Sequence, residues 1–166
     1  MFQKVFSINS KKEFDEIALE TFRYQAINCE VYRDFITYLN IDIDTIKRID
    51  KIPFLPIQFF KSHKVVSSKN LIEQTFLSSG TGGPQSQHHV TDISLYQESY
   101  RKGFQHFYGN IEDYTVLALL PSYLERDGSS LIYMVDDLIK KSKNPKSGFF
   151  LENTQKMTEI IQNHSN

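Results

Sequence analysis

The sequence predicts an α/β protein with a helical N-terminus, and three observations support this class. Apolar residues recur at helical spacing between about residues 11 and 39. From about residue 51, short β-prone runs alternate with helical stretches, a pattern typical of a mixed or parallel sheet with flanking helices. The 166 residues are 40% hydrophobic and 23% charged, which suits a globular chain with a core. We therefore expect a single α/β domain over 1–166, with a helical segment over about 1–50 and an α/β segment over about 51–166.

Two helices are expected at the start of the chain. Ser10 and Glu13 have the spacing of a capping box, and apolar residues follow at helical spacing to about residue 26. A second helix is predicted over about 29–39. Asp44 is then the expected cap of a short turn.

An extended region follows these helices. Pro53 and Pro56 exclude a helix and favour extended backbone. Short strands are predicted at 65–66 and 72–77, on either side of a polar turn.

The remainder of the chain alternates between helices and strands. Asp92 is the expected cap of a helix whose aromatic stripe, from Tyr96 to Phe107, is predicted to be core, with Gly109 just past its end. The continuous apolar run 114–120 predicts a strand that is buried on both faces.

The last elements follow the same pattern. Ser129 or Ser130 is the expected cap of a helix that buries one face, formed by a set of apolar residues: Leu131, Met134, Val135, Leu138 and Ile139. A strand is predicted at 149–151 and a last helix at 154–163.

The stretch 78–86, SSGTGGPQS, follows the β-prone run directly and is the main candidate for a binding site. Glycines allow positive φ and a close approach to a ligand. Consecutive backbone N–H groups in such a turn can hold an anion, and hydroxyls add donors. The stretch therefore predicts a phosphate-binding loop and a nucleotide ligand, and a solvent-exposed turn is the alternative. It fits neither the Walker A pattern nor the Rossmann fingerprint.

This loop resembles the Ser/Thr-rich phosphate loop of adenylate-forming enzymes. Gly82 stands where that loop usually has Thr, and Gln85 stands near the usual Lys. Further blocks have the order and spacing of one branch, the acyl-protein synthetase (LuxE-like) family, whose relatives are the phenylacetate–CoA ligases. These blocks are VYR at 31–33, IPFLPI at 52–57, FFK at 59–61, LLPSYLER at 119–126 and GSSLIYMV at 128–135.

The resemblance implies a fold, a reaction and cofactors. The chain would be the N-terminal part of an adenylate-forming enzyme fold, in an ATP-dependent ligase and acyltransferase that uses Mg²⁺ and an acyl or aryl carboxylate. Residues expected to hold the nucleotide are those of the loop: Ser78, Ser79, Gly80, Thr81, Gly82, Gly83, Gln85 and Ser86. Thr81 is the candidate catalytic residue.

Three residues outside the loop are candidate substrate contacts. The resemblance implies that Pro121 and Tyr123 lie beside the carboxylate pocket. His88 is the third candidate, and a structural or exposed histidine is the alternative reading of that position. No metal-ligand constellation is visible in the sequence.

Family members are about twice as long as this chain, so the sequence is expected to be a truncated, N-terminal half that is inactive alone. Its partners would then be a missing C-terminal half, an acyl carrier or a reductase, and an exposed apolar face would favour a homodimer. The alternative is a degenerate homologue that binds a ligand or a protein without catalysis, which the departures at Gly82 and Gln85 favour. A third reading is an unrelated α/β binding module whose glycine loop is structural.

The bulk properties favour a cytoplasmic protein without nucleic-acid or membrane partners. Net charge is −1, so there is no extended basic footprint. There is no signal peptide and no apolar run that approaches the length of a membrane span. Cys29 is the only cysteine, which excludes an internal disulfide and predicts a plain buried thiol.

Overall fold

The computed structural model describes residues 2–79, 83–121 and 128–164. Within these ranges the helices are α1 (Lys11–Asn28), α2 (Glu30–Tyr38), α3 (Phe59–Ser62), α4 (Ile93–Tyr108), α5 (Ser130–Ser142) and α6 (Thr154–His164). The strands are β1 (Gln74–Leu77), β2 (Gln87–Val90), β3 (Leu117–Ala118) and β4 (Gly148–Phe149). The predicted α/β class with a helical N-terminus is confirmed.

The chain divides into two compact units, Met1–Leu95 and Tyr96–Asn166. The first holds α1 to α3 and an antiparallel pair of β1 and β2, and the second holds α5, α6 and a parallel pair of β3 and β4. The boundary between the units lies within α4. The expected single domain stays a prediction.

The predicted capping interactions explain where α1 begins. Ser10 Oγ accepts a hydrogen bond from the Glu13 N–H at 3.2 Å, and Glu13 Oε2 accepts one from the Asn9 N–H at 3.0 Å. Side chains thus satisfy amide groups that a helix start leaves without partners. The helix ends at Asn28 because Cys29 has extended backbone, and α2 begins at the next residue.

The core of the first unit lies between α1 and α2. Its buried residues share one face of the helix pair and comprise Phe22, Ala26, Cys29, Tyr32 and Ile36. The rings of Phe22 and Tyr32 meet edge to face, with centroids 6.2 Å apart. Cys29 is a buried thiol, as predicted.

Tyr32 also joins this core to the proline-containing extended segment. Its hydroxyl donates a hydrogen bond of 2.5 Å to the carbonyl oxygen of Pro53, a residue 21 positions away. Burial, together with the nearby Cys29, raises the pKa of Tyr32 to about 12. The hydroxyl is therefore a neutral donor throughout the physiological pH range.

Two local predictions in this unit were wrong. Asp42, and not Asp44, caps the short 3₁₀ turn, because the Asp42 carboxylate accepts from the Asp44 N–H at 2.9 Å. Residues 65–66 form no strand in the described structure. Val65 instead packs against the helical core, so burial and not strand pairing explains its apolar character.

The second unit is held together by polar contacts between α4 and α5. Tyr96 Oη donates to the Ser130 carbonyl at 2.9 Å, and Arg101 binds Asp137 through two parallel bonds of 2.8 and 2.7 Å. Partial burial acts to raise the pKa of Asp137, but the hydrogen bonds and charge of Arg101 hold that pKa below its ordinary value. Bidentate Arg–carboxylate pairs fix the relative orientation of the two side chains as well as their distance.

The strand predicted at 114–120 is much shorter than expected. It pairs only at Leu117 and Ala118, because its partner β4 has two residues, and Leu119 is 52% exposed. Just before β3, a side chain replaces the strand partner, because the Ser147 hydroxyl accepts a hydrogen bond from the Val116 N–H. The prediction of burial on both faces is therefore wrong.

In the second unit, the predicted helix ends agree with the structure better than the predicted buried faces do. Gly109 has φ +85 and donates to the Gln105 carbonyl, and Ser129 caps α5. The aromatic stripe of α4 is half-buried up to Phe104, but Phe107 is 77% exposed. On α5 Leu138 is buried as predicted and Ile132 is buried too, whereas Leu131, expected on the buried face, is 49% exposed.

Replacing Tyr32 by Phe tests the hydroxyl that joins the helical core to Pro53. We expect Tyr32→Phe to lower the free energy of unfolding by about 1 kcal/mol, because the Pro53 carbonyl loses its donor. Tyr38→Phe is the matched control, since Tyr38 is 91% exposed, and its effect should stay within about 0.5 kcal/mol. Urea unfolding followed by circular dichroism measures both.

The same pair of proteins has an expected pH dependence. Because folding raises the Tyr32 pKa, the Tyr32 contribution is complete below the unfolded value near 10 and is lost as the pH rises towards the folded value of about 12. The difference between wild type and Tyr32→Phe should therefore shrink in that window. A difference that is absent at neutral pH would contradict the assigned contact.

The pair of Arg101 and Asp137 provides a second test. Asp137→Asn should lower the free energy of unfolding by about 1–2 kcal/mol, because it removes the charge from a half-buried, two-pronged pair. The neighbouring Asp136→Asn is the control, since Asp136 makes a single i,i+4 contact to an exposed Lys140, worth a few tenths of a kcal/mol.

Acid should remove this difference. Folding lowers the Asp137 pKa, so its contribution is present above the unfolded value of about 3.9 and is lost as the pH falls through the folded value. Equal effects of Asp137→Asn and Asp136→Asn at neutral pH would refute the special role of the long-range pair.

Candidate functional site

The Ser/Thr/Gly-rich stretch connects the two strands of the β1–β2 hairpin. The last paired residues are Leu77 and Gln87. Beyond them the Ser78 N–H donates to the Ser86 carbonyl at 3.0 Å, and the Ser86 N–H donates to Ser78 Oγ at 2.9 Å. The two ends of the predicted phosphate loop are thus held together by each other's polar groups.

Gly83 has the backbone conformation that a glycine loop requires. Its φ is +141, a value that residues with a side chain rarely adopt, and no atom of the described residues lies within 4 Å of an added Cβ. Ser79 and Gly83 are both exposed. Gly80, Thr81 and Gly82, which the sequence also assigns to the nucleotide, lie outside the described residues.

Gln85 has a defined structural contact. Its Nε2 donates to the Ser78 carbonyl oxygen at 2.9 Å across the hairpin turn. The side chain near the position where the resemblance leads one to expect a lysine therefore helps to close the loop. Ser78 Oγ is an acceptor here, and a serine hydroxyl that accepts can still donate its own hydrogen.

The two histidines of β2 occupy different surroundings. The ring of His88 stacks on Phe60 with centroids 6.0 Å apart, and His89 Nδ1 lies 3.0 Å from Thr75 Oγ1 on the paired strand. Loss of hydration and then the neighbouring His89 lower the pKa of His88, so its ring is neutral near pH 7. His88, a candidate substrate contact, is thus the hairpin residue whose ring contacts Phe60.

The other candidate substrate contacts belong to the second unit. Pro121 follows β3 and is half-buried. Tyr123 lies outside the described residues, as does the stretch 122–127 that contains it. Within the described part of the chain, no group of three or more metal-ligating side chains comes together, and no helix is long and apolar enough to cross a membrane.

The first unit also contains an apolar cavity of about 630 Å³, at a place that the sequence analysis did not identify. One wall is the inner face of α1, including Phe14, Ala18 and Phe22. Phe54 and Phe60 also line the cavity. The apolar periodicity of α1 and the aromatic residues around Pro53 and Pro56 were both visible in the sequence, but their convergence was not.

The floor and rim of this cavity differ in exposure. Cys29 and Tyr32 line it and belong to the buried core, so the cavity reaches the centre of the unit. At the rim, Phe14 is 51% exposed and Phe54 is 79% exposed. Because Phe60 lines the cavity and stacks on His88, the cavity wall and the hairpin meet at one ring.

Comparison with known proteins places these features in a family. The sequence profile of the family described as acyl-protein synthetase, LuxE, matches residues 5–112. The chain is also 38% identical over 73 residues to a long-chain-fatty-acid–luciferin-component ligase of Photorhabdus luminescens. That match covers 43% of this chain and 62% of the relative, so the chain spans less than two thirds of the relative's length. No solved structure matches the chain.

The profile covers α1 to α4, the hairpin with its glycine loop and all the described residues that line the cavity. The matched span is well over half of the 166 residues, and it contains the blocks around 31–33 and 52–61 on which the sequence resemblance was based. This chain belongs to the LuxE acyl-protein synthetase family.

Proposed function

We propose that this chain carries the nucleotide-binding and acyl-binding part of an acyl-activating enzyme, with the phosphates of ATP held at the 78–86 hairpin turn. The observation that carries the proposal is the geometry of this turn within the span of the family match. Its ends are closed by Ser78 and Ser86, and Gly83 has positive φ with open space beside it.

The described loop residues fit a phosphate group. A ligand oxygen can approach Gly83 closely because no side chain stands there, and the exposed Ser79 contributes a hydroxyl donor. Hydrogen bonds within the loop fix its ends before a ligand arrives, which lowers the ordering cost of binding. Thr81 is the proposed side-chain ligand in the centre of the loop.

Bound ATP would supply an adenylyl group to the carboxylate, with pyrophosphate as the leaving group. In this reaction the proposed role of the loop is to hold the pyrophosphate by donors that are already oriented, because charge builds up there. Mg²⁺ usually binds through phosphates, waters and only one or two carboxylates. We therefore propose that it is bound mainly by the nucleotide.

The proposed substrate is a carboxylic acid with a long hydrocarbon chain. The Photorhabdus relative is by its name a ligase of long-chain fatty acids, and the family is one of acyl-protein synthetases. An aryl carboxylate is the alternative substrate. An acyl carrier or a reductase is a proposed macromolecular partner, as is a further segment that completes the enzyme.

A second candidate function is ligand or protein binding without catalysis. The observation that favours it is Gln85, whose amide bonds to the Ser78 carbonyl where the family loop has a lysine. A glutamine supplies no positive charge, and charge-assisted hydrogen bonds are about twice as strong as neutral ones. The variants below separate the two functions by their effect on ATP and pyrophosphate binding.

Thr81→Val tests the loop hydroxyl at nearly constant shape. We expect it to weaken binding of ATP and of pyrophosphate by about fivefold, which corresponds to about 1 kcal/mol for one lost hydrogen bond. Thr37→Val is the matched control, because Thr37 is an exposed helix residue whose hydroxyl bonds only to the Arg33 carbonyl among the contacts described. Isothermal titration calorimetry with Mg²⁺ measures both. Equal affinities for all three proteins would argue that the loop is structural.

Gln85→Lys restores the charge expected of the family loop. We expect tighter binding of ATP, since a lysine can keep a donor near the Ser78 carbonyl and add attraction to the phosphates, and the gain should shrink with added salt. Gln155→Lys on α6 adds the same charge at an exposed site and serves as the control. A gain that is the same for both lysines, or that is insensitive to salt, would count against a phosphate beside Gln85.

A further inference from the structure

We propose that the cavity of the first unit holds the hydrocarbon chain of the acyl substrate, with its carboxyl end directed past Phe60 towards the hairpin. This inference rests on the proposed function, because it takes the class of substrate from there. It assigns to α1, α2 and the segment around Pro53 a binding role in addition to their structural one.

The size of the cavity fits a small-molecule ligand. Its volume of about 630 Å³ lies within the range of roughly 300–1,000 Å³ that is usual for ligand sites. Five stretches of the described chain line it, namely the N-terminal residues, α1, the start of α2, the 49–55 segment and the 60–67 segment. A hollow that reaches the buried Cys29 and Tyr32 suits a slender chain better than it suits the flat face of another protein.

The chemistry of the walls selects an apolar occupant. The lining residues are mostly aliphatic and aromatic, and no lysine, arginine or histidine is found among the described ones. Asp50 is the acidic residue among them, and both its carboxylate oxygens bond to Arg48, at 2.9 and 3.0 Å. The walls therefore offer hydrophobic contact along the chain and no counter-ion for a carboxylate inside.

The exposure of residues at the rim also indicates an apolar ligand. Val5, Phe14 and Phe54 are 43%, 51% and 79% exposed although their side chains border the cavity. Covering apolar surface of this kind is favourable in proportion to its area, and a bound hydrocarbon chain would remove part of it from water.

The position of Phe60 gives the direction of the chain. Its ring borders the cavity and stacks on His88 of β2. His88 follows Gln87, which pairs with Leu77 at the end of the hairpin that carries the phosphate loop. A carboxyl group that emerges at Phe60 would therefore lie beside β2, the strand that directly follows the loop. His88 is then a contact for the head of the substrate, as the sequence predicts.

A tryptophan reporter gives the test. The chain has no tryptophan, so Phe54→Trp places a single indole at the cavity rim, and Tyr38→Trp places one on an exposed surface outside the cavity. Saturated fatty acids from octanoate to tetradecanoate are titrated into the full chain below their critical micelle concentrations, without nucleotide. We expect a blue shift of emission for Phe54→Trp and none for Tyr38→Trp.

The affinity should depend on chain length. Each added methylene buried in the cavity should tighten binding by about fourfold, so dodecanoate, which has two more methylenes, should bind roughly fifteenfold more tightly than decanoate. Ala18→Phe, made in the Phe54→Trp background, places a ring in the cavity and should weaken dodecanoate binding by about tenfold or more. Ile8→Phe, nearer the N-terminus, is a second blocking variant if Ala18→Phe unfolds the protein.

Two results of the fatty-acid titration would overturn the assignment. One is the absence of a blue shift with every acid, and the other is dodecanoate binding that is unchanged in a folded blocking variant. Emission of Phe54→Trp that shifts with protein concentration and not with fatty acid would assign the rim to a second copy of the chain and would also refute the proposal. Because no nucleotide is present, these results are independent of whether the 78–86 loop binds ATP.

Discussion

The hydrogen bond from Tyr32 to the Pro53 carbonyl joins the helical core of the first unit to its proline-containing extended segment. Segments with prolines cannot form regular backbone pairs at those positions, so they must be held by side chains. Tyr32 supplies such a side chain from the buried face of α2 and leaves the Pro53 carbonyl satisfied. The segment 49–55 is thereby joined to α2, and both line the cavity together with α1. One buried phenol thus links the core, the extended segment and the candidate acyl site.

The two candidate binding features of the first unit share this framework. The hairpin is closed by its own polar groups at Ser78 and Ser86, whereas the cavity is shaped by apolar packing of the helices. The stacked rings of Phe60 and His88 are where the two meet. An enzyme that joins a charged cofactor to an aliphatic acid needs both kinds of environment close together. The match to the acyl-protein synthetase family covers both.

The elements that the sequence predicted well are those with local causes. Ser10 with Glu13 determines the start of α1, and Gly109 determines the end of α4, within a few residues of chain. The strand at 114–120 was overestimated because its length depends on β4, about thirty residues later, and not on its own hydrophobicity. The cavity has the same kind of origin, since it needs α1 and Phe54 to meet from distant parts of the sequence. The bond from Gln85 to Ser78 was equally invisible, because resemblance gives a position but not a contact.

The parallel pairing of β3 and β4 has a consequence for the order in which the molecule folds. β1 and β2 are joined by a short turn, so their ends find each other quickly. Leu117 and Gly148 are separated by the whole of α5, and parallel strands always require such a crossover. Each doubling of the length of a closed loop lowers the stability of the closed state by about 0.6 kcal/mol through chain entropy. The hydrogen bonds of a strand pair of only two residues offset little of this cost. Formation of α5, which shortens the span, is therefore expected to precede the sheet, and the second unit to acquire its strands late.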